Sequence, residues 1–371
     1  MKLNPEVNVY DSPLKQEIDS VLSQLEYNQE AGDLYNSFLT DKYNFIDKKM
    51  IKDMESDGTD LEDAYYQCML EVLDLPESRQ LEEIERTTHF SKVTCLDVKD
   101  YQNDPYIKNI HPTIAAKGKW KITYNYYEPY EGFVFDEMKE GDNFAEITSL
   151  GFFKETFPYL EVSYSNRVYM LITPHEINTM REPIKRAKGR VLALGLGLGY
   201  YPYMVSLKED VKEVVVVEND RSLIDLFTEK ILPLMKTDKI KIVCADAFDY
   251  LEKVAPKENF DSVFFDIYHT ADDGLPLYMK AKKLSALSPK SDFSYWIEED
   301  LICMIRRYLL VMITEIIDGS TEEDYQETDE IADIIMSKLY HANEDTVIMT
   351  PEDLRKFLSA DNIKAMVSRI K

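Results

Sequence analysis

The sequence of 371 residues has few of the residue types that mark cross-linked or membrane-spanning proteins. Its four cysteines, Cys68, Cys95, Cys244 and Cys303, are scattered and form no C-x-x-C pair, which argues against a zinc site and a disulfide framework. No apolar stretch approaches the roughly 20 residues of a membrane helix, and the first residues lack the apolar core of a signal peptide. We therefore expect a cytoplasmic protein with no membrane segment.

Basic residues are scarce relative to acidic ones: 43 Lys and Arg stand against 69 Asp and Glu, which gives a net charge of −26. Nucleic-acid binding normally depends on clustered Lys and Arg, and a strongly negative surface repels phosphate backbones. The one local basic run, Lys185, Arg186, Lys188 and Arg190, is better interpreted as the solvated end of a helix. The charge therefore disfavours RNA or DNA as a partner and favours a small or cationic substrate.

Glycine is also rare, with 12 residues, but three of them cluster at Gly195, Gly197 and Gly199. They follow the apolar run 191–194 and precede a helix-compatible segment near Tyr200. This permits a sharp turn after a strand and brings a ligand close to the amides of the next helix. A dinucleotide-binding loop, G-x-G-x-x-G, would have a glycine at position 200. The spacing G-x-G-x-G instead indicates a nucleoside without a pyrophosphate, although a plain strand-to-helix turn has the same pattern.

Three further strand-like runs each lead to an acidic residue: residues 214–217 to Glu218, residues 240–243 to Asp246 and residues 261–265 to Asp266. The carboxyl ends of parallel strands meet at one edge of a sheet, and ligands bind in the crevice there. Glu218 lies roughly 20 positions beyond the glycines, where an acid accepts hydrogen bonds from both ribose hydroxyls. Each acid also fits a helix N-cap, and this alternative is strongest for Asp246.

With these motifs, residues from about 175 to 300 resemble a class I S-adenosylmethionine-dependent methyltransferase, and within that group the spermidine synthase branch. The resemblance implies an α/β fold, a Rossmann-like and mostly parallel sheet with helices on both faces, and S-adenosylmethionine as cofactor. Asp266 matches the residue that faces the reacting centre. The cofactor-binding residues that the resemblance implies are Gly195, Gly197 and Gly199 around the methionine part, Glu218 at the ribose, and Asp246 with Ala247 at the adenine.

Two positions depart from the family pattern. Ala193 stands where many methyltransferases have an acid, but spermidine synthases often lack that acid too. His269 stands three residues after Asp266, where aminopropyltransferases have a second aspartate that holds the amine. Methyl transfer to a small-molecule acceptor is therefore favoured over aminopropyl transfer. A third hypothesis is a non-catalytic cofactor-binding or scaffold protein, with a crevice filled by side chains such as Tyr200, Tyr201 or Tyr268.

Asp266 and His269 are the candidate catalytic residues. Histidine titrates near neutrality, so His269 suits a general base on a hydroxyl or amine, and a surface or capping role is the alternative. Asp272 and Asp273 follow in a polar loop that we expect to lead into a helix from Leu275 or Pro276. These carboxylates lack the tight spacing of a Mg²⁺ site, so we expect no metal.

The flanking segments differ from the centre in their periodicity, which predicts four regions. Residues 1–110 form a helical N-terminal region that could make a homodimer contact, and residues 111–174 form a small β-rich unit. Residues 175–316 form the Rossmann-like domain that binds the cofactor, and residues 317–371 form an acidic linker and a helical C-terminal tail. We expect no closing antiparallel hairpin in the sheet, because the tail reads as helical to Lys371.

Local motifs predict several element boundaries. Ser12 and Asp60 precede helical stripes, and Thr350 begins a segment with capping-box spacing. Alternation over residues 120–126 predicts a strand, and two strand-like runs flank residues 165–166 as a hairpin. A helix that opens at residues 173–176 leads into the first strand of the sheet. There Glu176 either belongs to a capping box or lies near the cofactor.

Overall fold

The computed structural model describes residues 1–8, 12–41, 45–55, 58–73, 93–319 and 330–370. Residues 320–329 of the predicted acidic linker and residues 74–92 of the predicted helical N-terminal region lie outside the described residues. The helices, in chain order, are α1 (Pro13–Thr40), α2 (Lys48–Glu55), α3 (Leu61–Val72), α4 (Val98–Gln102), α5 (Pro105–Asn109), α6 (Pro174–Thr179), α7 (Arg181–Arg186), α8 (Tyr200–Ser206), α9 (Arg221–Lys230), α10 (Leu232–Met235), α11 (Ala247–Lys253), α12 (Ala255–Glu258), α13 (Ala271–Ser285), α14 (Glu298–Asp318), α15 (Glu330–Ala342), α16 (Pro351–Leu358) and α17 (Ala360–Val367). The strands are β1 (Lys2–Leu3), β2 (Thr94–Leu96), β3 (Ala115–Lys117), β4 (Trp120–Tyr127), β5 (Gly132–Val134), β6 (Lys139–Glu140), β7 (Glu146–Ile147), β8 (Leu150–Phe153), β9 (Phe157–Tyr164), β10 (Arg167–Leu171), β11 (Gly189–Leu194), β12 (Val211–Glu218), β13 (Ile240–Cys244), β14 (Ser262–Phe265), β15 (Asp292–Tyr295) and β16 (Val347–Ile348).

A parallel five-stranded sheet lies at the centre, with the order β13-β12-β11-β14-β15. Residues 191–194 of β11 are all buried although their side chains alternate between the two faces, so helices cover both faces. The chain runs outward from β11 to β13 and then returns to place β14 on the other side of β11. This order confirms the predicted Rossmann-like fold. It also creates a topological switch point between β11 and β14, where such sheets bind ligands.

A second, antiparallel sheet precedes the parallel one and has the order β10-β9-β4-β3. The predicted hairpin is confirmed: β9 and β10 are antiparallel and are joined at Ser165 and Asn166, whose φ angles are 51° and 64°. Two consecutive positive φ angles are typical of a type I′ turn, which matches the twist of the flanking strands. The register of this pair shifts between Val168 and Met170, which marks a β-bulge. The bulge reorients the side chains that follow the turn.

The C-terminal part differs from expectation in two places. Val347 pairs in parallel with Lys2 in a short β1–β16 ladder, so the expectation of helix throughout the tail was wrong there. Helix α13 begins at Ala271 and not near Leu275, because the side chains and backbone of Thr270 and Asp273 form a capping box. In the described part of the chain, no antiparallel strand joins the parallel sheet.

The other predicted helix starts have mixed outcomes. Asp60 caps α3 by accepting hydrogen bonds from the amides of Glu62 and Asp63 at 3.1 and 3.0 Å. Thr350 forms the predicted capping box with Asp353 at the start of α16. Ser12 precedes α1, but its side chain makes no capping hydrogen bond.

Acidic partners surround the basic run before β11. Arg186 is paired with Asp292, and Arg190 donates to Glu213 at 2.7 Å. Lys185 lies 3.1 Å from Glu182. The run is therefore neutralised locally, as a solvated helix end would be. Across the described residues, no helix combines the length and the apolar character that crossing a membrane requires.

Two arginines of α14 link this helix to the β-rich unit. Arg306 is only 2% exposed, forms an ion pair with Glu140 and donates to the carbonyl of Leu358 at 2.9 Å. Arg307 forms a bidentate ion pair with Glu146, which is 6% exposed. When one partner of a buried pair is removed, the other charge remains desolvated without compensation.

We predict that Glu140→Gln lowers the free energy of unfolding by about 3 kcal/mol, because it leaves the buried Arg306 guanidinium without its counter-charge. Urea unfolding followed by circular dichroism measures the change. The control is Glu182→Gln, which removes a solvent-exposed pair with Lys185 and should leave stability within error of the parent. Equal effects of the two substitutions would contradict the prediction.

Candidate functional site

The glycine loop leaves β11 at the switch point of the sheet. Gly195 has a φ of 104°, and a side-chain carbon at this position would lie 1.8 Å from the carbonyl oxygen of Asp266. Gly197 has a φ of 46°, and a side-chain carbon there would lie 2.2 Å from the sulfur of Met170. Both positive φ angles favour glycine, and at Gly195 the nearby backbone also leaves no space for a side chain. The loop passes directly over the end of β14.

A small cleft of about 70 Å³ opens between this loop and the segment that follows β14. The predicted site residues that line it are Gly195, Gly197, Asp266 and His269. The cleft is further lined by Glu176, by Tyr169 and Met170, and by Tyr200, Tyr201, Tyr268 and Trp296. Within the described part of the chain, no Lys or Arg stands among the lining residues. The structure thus gathers acidic and aromatic groups at the predicted edge.

Glu218 lies beside the glycine loop, although it does not line the cleft. Its carboxylate accepts hydrogen bonds from the amides of Asp220 at 2.8 Å and Leu196 at 3.4 Å. It is 7% exposed, and burial raises its pKa even though these amide hydrogen bonds lower it. Leu194, the last residue of β11, pairs with Val217 of β12. Glu218 follows Val217 and therefore lies next to the start of the glycine loop.

The other predicted cofactor residues lie further along the sheet edge. Asp246 is exposed and caps α11, accepting from the amides of Phe248 and Asp249 at 2.9 Å each, which confirms the N-cap alternative. Ala247 is the first residue of α11 and is buried. Gly199 stands at the N-cap of α8 and is backed by the ring of Phe227. A contact of these residues with a nucleoside stays a prediction.

Two acids, Asp266 and Glu176, line the cleft, and no basic side chain lines it in the described part of the chain. Asp266 follows β14, and burial raises its pKa to about 7. Glu176 lies in the first turn of α6, and burial, together with the charge of Asp266, raises its pKa well above the usual range. Thr173 makes no capping hydrogen bond at this helix start, so the capping-box reading of Glu176 was wrong. The sequence left two alternatives open for Glu176, and in the structure it lines the same cleft as Asp266.

His269 lies at the mouth of the cleft. Its ring meets the ring of Tyr169 edge-on, with the centroids 4.5 Å apart. Its backbone amide donates to the carboxylate of Asp273 at 3.1 Å, and the same carboxylate closes the capping box with Thr270. Asp273 therefore serves the start of α13, while the imidazole of His269 is exposed at the cleft.

The tyrosines that were candidates to fill the crevice have structural partners. Tyr200 donates to Asp104 at 2.9 Å, and Tyr268 donates to the carbonyl of Trp296. Tyr201 stacks on the ring of Phe264 at 4.1 Å. They form walls of the cleft and are anchored in the core.

Two residues that the sequence did not indicate reach into the cleft from β10. The sulfur of Met170 accepts a hydrogen bond from the amide of Leu198 at 3.1 Å, on the glycine loop itself. Burial raises the pKa of Tyr169, and the negative charges of Glu218 and Asp266 raise it further. The bulge in β10 directs both side chains, and a bulge leaves no mark in a period-two pattern.

No protein-family model matches the chain, and no curated protein matches it. Among solved structures, it is similar to spermidine synthase from Thermotoga maritima, with 13% identity and a TM-score of 0.31 over 49% of this chain and 55% of that one. A spermidine synthase in complex with the transition state analogue AdoDATO has 14% identity and a TM-score of 0.32 over 50% and 59%. Human methyltransferase-like protein 13 in complex with SAH has 19% identity and a TM-score of 0.24 over 31% and 58%. The chain thus spans little more than half the length of each. The assignment of a Rossmann-like fold depends on the strand order of the parallel sheet and not on these similarities.

The raised pKa of Asp266 predicts how the free energy of unfolding depends on pH. Burial raises the pKa of Asp266 from its ordinary 3.8 to about 7. Between these values the folded chain holds more protons than the unfolded chain, so the free energy of unfolding falls as the pH rises through this window. We predict that Asp266→Asn stabilises the protein relative to the parent more at about pH 8 than at about pH 5.

Urea unfolding at the two pH values measures this difference. The control is Asp249→Asn, because Asp249 is an exposed acid of α11 with Lys253 as its partner. It should alter stability by the same small amount at both values. A pH dependence of Asp266→Asn equal to that of the control would show that the cleft carboxylate is not desolvated.

Proposed function

We propose that the protein is an S-adenosylmethionine-dependent methyltransferase that acts on a small-molecule acceptor, and that this acceptor carries an amine. One observation carries the proposal: Asp266 and Glu176 line the same cleft at the switch point of the sheet, and no Lys or Arg stands among the described residues that line it. Buried carboxylates in this situation are stabilised by a ligand that brings positive charge or N–H donors.

The residues present fit the proposed cofactor. Gly195 and Gly197 have no side chains that would keep a ligand from the backbone of the loop. The buried carboxylate of Glu218 lies at the end of the neighbouring strand β12. In our proposal the glycine loop holds the methionine part and Glu218 the ribose. The exposed Asp246, with Ala247, borders the adenine. A sulfonium is positively charged, which suits a cleft lined by acids.

S-adenosylmethionine, when bound, supplies a methyl group that its sulfonium already activates. The remaining task of the chain is to orient a nucleophile and exclude water. Asp266 and Glu176 accept hydrogen bonds from the acceptor and turn its lone pair toward the methyl group. The proton that the acceptor loses passes to Asp266, whose pKa of about 7 suits a base near neutrality. His269, at the mouth, gives this proton a route to solvent.

A second candidate is aminopropyl transfer, and Glu176 is the observation that favours it. The aspartate expected three residues after Asp266 is replaced by His269, but Glu176 brings another carboxylate to the same cleft from α6. An amine could therefore be held by two acids. The two candidates differ in whether the carboxylated or the decarboxylated form of S-adenosylmethionine is the donor.

We predict that Glu218→Ala abolishes detectable binding of S-adenosylmethionine, because the ribose loses its acceptor and the loop amide of Leu196 loses its partner. Isothermal titration calorimetry measures the affinity. The control is Glu213→Ala, at the far end of β12, where the side chain pairs with Arg190 and Lys241. This variant should bind like the parent. Absence of binding to the parent itself would refute the cofactor assignment.

We predict that kcat/KM for the cofactor, in transfer to short primary amines, rises with pH through about 7, as Asp266 of the free enzyme loses its proton. Mass spectrometry of a panel of mono- and diamines, incubated separately with S-adenosylmethionine and its decarboxylated form, identifies the group transferred. His269→Ala should leave the cofactor affinity unchanged and lower turnover. Methylated amines support the first candidate and aminopropylated amines the second. Binding without any product would favour the non-catalytic hypothesis.

A further inference from the structure

The cleft is much smaller than the ligand that the proposed function requires. Its volume is about 70 Å³, whereas pockets for small molecules and cofactors occupy roughly 300 to 1,000 Å³. The walls on the core side are fixed, since Tyr200, Tyr201 and Tyr268 are hydrogen-bonded or stacked in the core. The side chains that reduce the volume on the other side come from β10.

Met170 occupies the space in front of the glycine loop. Its sulfur lies 3.1 Å from the amide nitrogen of Leu198, and it stands 2.2 Å from where a side-chain carbon of Gly197 would be. A methionine thioether of the chain therefore lies against the loop that, in the proposed function, receives the methionine part of the cofactor. The two cannot fill the same volume.

We propose that Met170 is an internal ligand of the glycine loop that competes with the cofactor and must be displaced when the cofactor binds. The inference rests on the proposed function. The contact is weak enough to exchange, because a thioether sulfur is a poor hydrogen-bond acceptor. A carboxylate oxygen accepts a stronger, charge-assisted hydrogen bond from the same kind of amide, so a ligand that carries one gains where Met170 loses.

The position of Met170 in the fold allows this displacement. β10 has only five residues, pairs with β9 alone and contains the bulge between Val168 and Met170. The Met170 side chain is half-buried and unbranched, with several rotatable bonds. It can therefore leave the loop while the β9–β10 ladder stays intact. Tyr169, which touches His269, connects the same strand to the mouth of the cleft.

The decisive experiment compares the affinities of the parent, Met170→Ala and Met170→Leu for S-adenosylhomocysteine by isothermal titration calorimetry. Removal of the competing side chain should tighten binding about tenfold, the equivalent of one hydrogen bond of ~1.4 kcal/mol. Met170→Leu keeps most of the volume and loses the sulfur acceptor, so its affinity should lie between the other two. Leu171→Ala is the matched control, because it truncates the next residue of β10, which does not line the cleft.

The possible results distinguish a failure of the proposed adenosyl site from a failure of the inference about Met170. If neither the parent nor Met170→Ala binds, the proposed adenosyl site falls. If both bind with equal affinity, or if Met170→Ala binds more weakly, the site stands and Met170 is a floor of the pocket and not a competitor. An equal gain in Leu171→Ala would show that the whole strand has loosened, and would also overturn the inference.

A second measurement follows Met170 in the parent protein itself. In the parent protein with ¹³C-labelled methionine methyl groups, the Met170 resonance is assigned by its loss in Met170→Leu. Saturation with S-adenosylhomocysteine should move it toward the position of a solvent-exposed methionine. If the resonance of Met180, which also lines the cleft, responds while that of Met170 stays in place, the ligand binds without displacing Met170 and the inference is refuted.

Discussion

The cleft depends on the close approach of two backbones, that of Gly195 and that of Asp266. Strands β11 and β14 run side by side to Leu194 and Phe265, and the amide of Asp266 still donates to the carbonyl of Leu194 at 2.9 Å. A side-chain carbon at Gly195 would lie 1.8 Å from the Asp266 carbonyl oxygen, so any other residue would force the strand ends apart. This approach turns the loop away from the sheet and leaves the Asp266 side chain at the floor of the cleft.

The acids around this point are stabilised in different ways. Glu218 is surrounded by backbone amides that donate to its carboxylate, so its negative charge is compensated within the fold. Asp266 and Glu176 have no such compensation, and burial raises the pKa of both. A chain with a net charge of −26 that also places two desolvated carboxylates in one cleft gives up stability there. In the proposed function, a cationic or hydrogen-bond-donating ligand would recover that free energy.

The sequence was sufficient to predict the positions of the acidic residues that follow the strands of the parallel sheet. Strand runs that end in Glu218 and Asp266 place these acids at one edge, because parallel strands leave no freedom about where their carboxyl ends meet. The sequence did not predict which residues enter the cleft through packing between separate helices and strands. Glu176 was ambiguous because a helix start alone does not show what faces it, and Thr270 with Asp273 began α13 four residues early through a local capping box. The reach of Tyr169 and Met170 into the cleft depends on a bulge, which one-dimensional periodicity does not record.

The small volume of the cleft and the protonation of Asp266 are physically connected. Its pKa is raised because burial in this small cleft keeps water away from its carboxylate, and Met170 lines the same cleft. Displacement of Met170 by a ligand with a sulfonium would bring a positive charge toward the same carboxylate, and a nearby positive charge favours its ionised form. The arrival of the cofactor would therefore lower the pKa of Asp266 and convert it from a neutral acid into a base. If the proposed function holds, the acceptor site would become competent only after the cofactor site is filled, and the order of binding would follow from the electrostatics of one cleft.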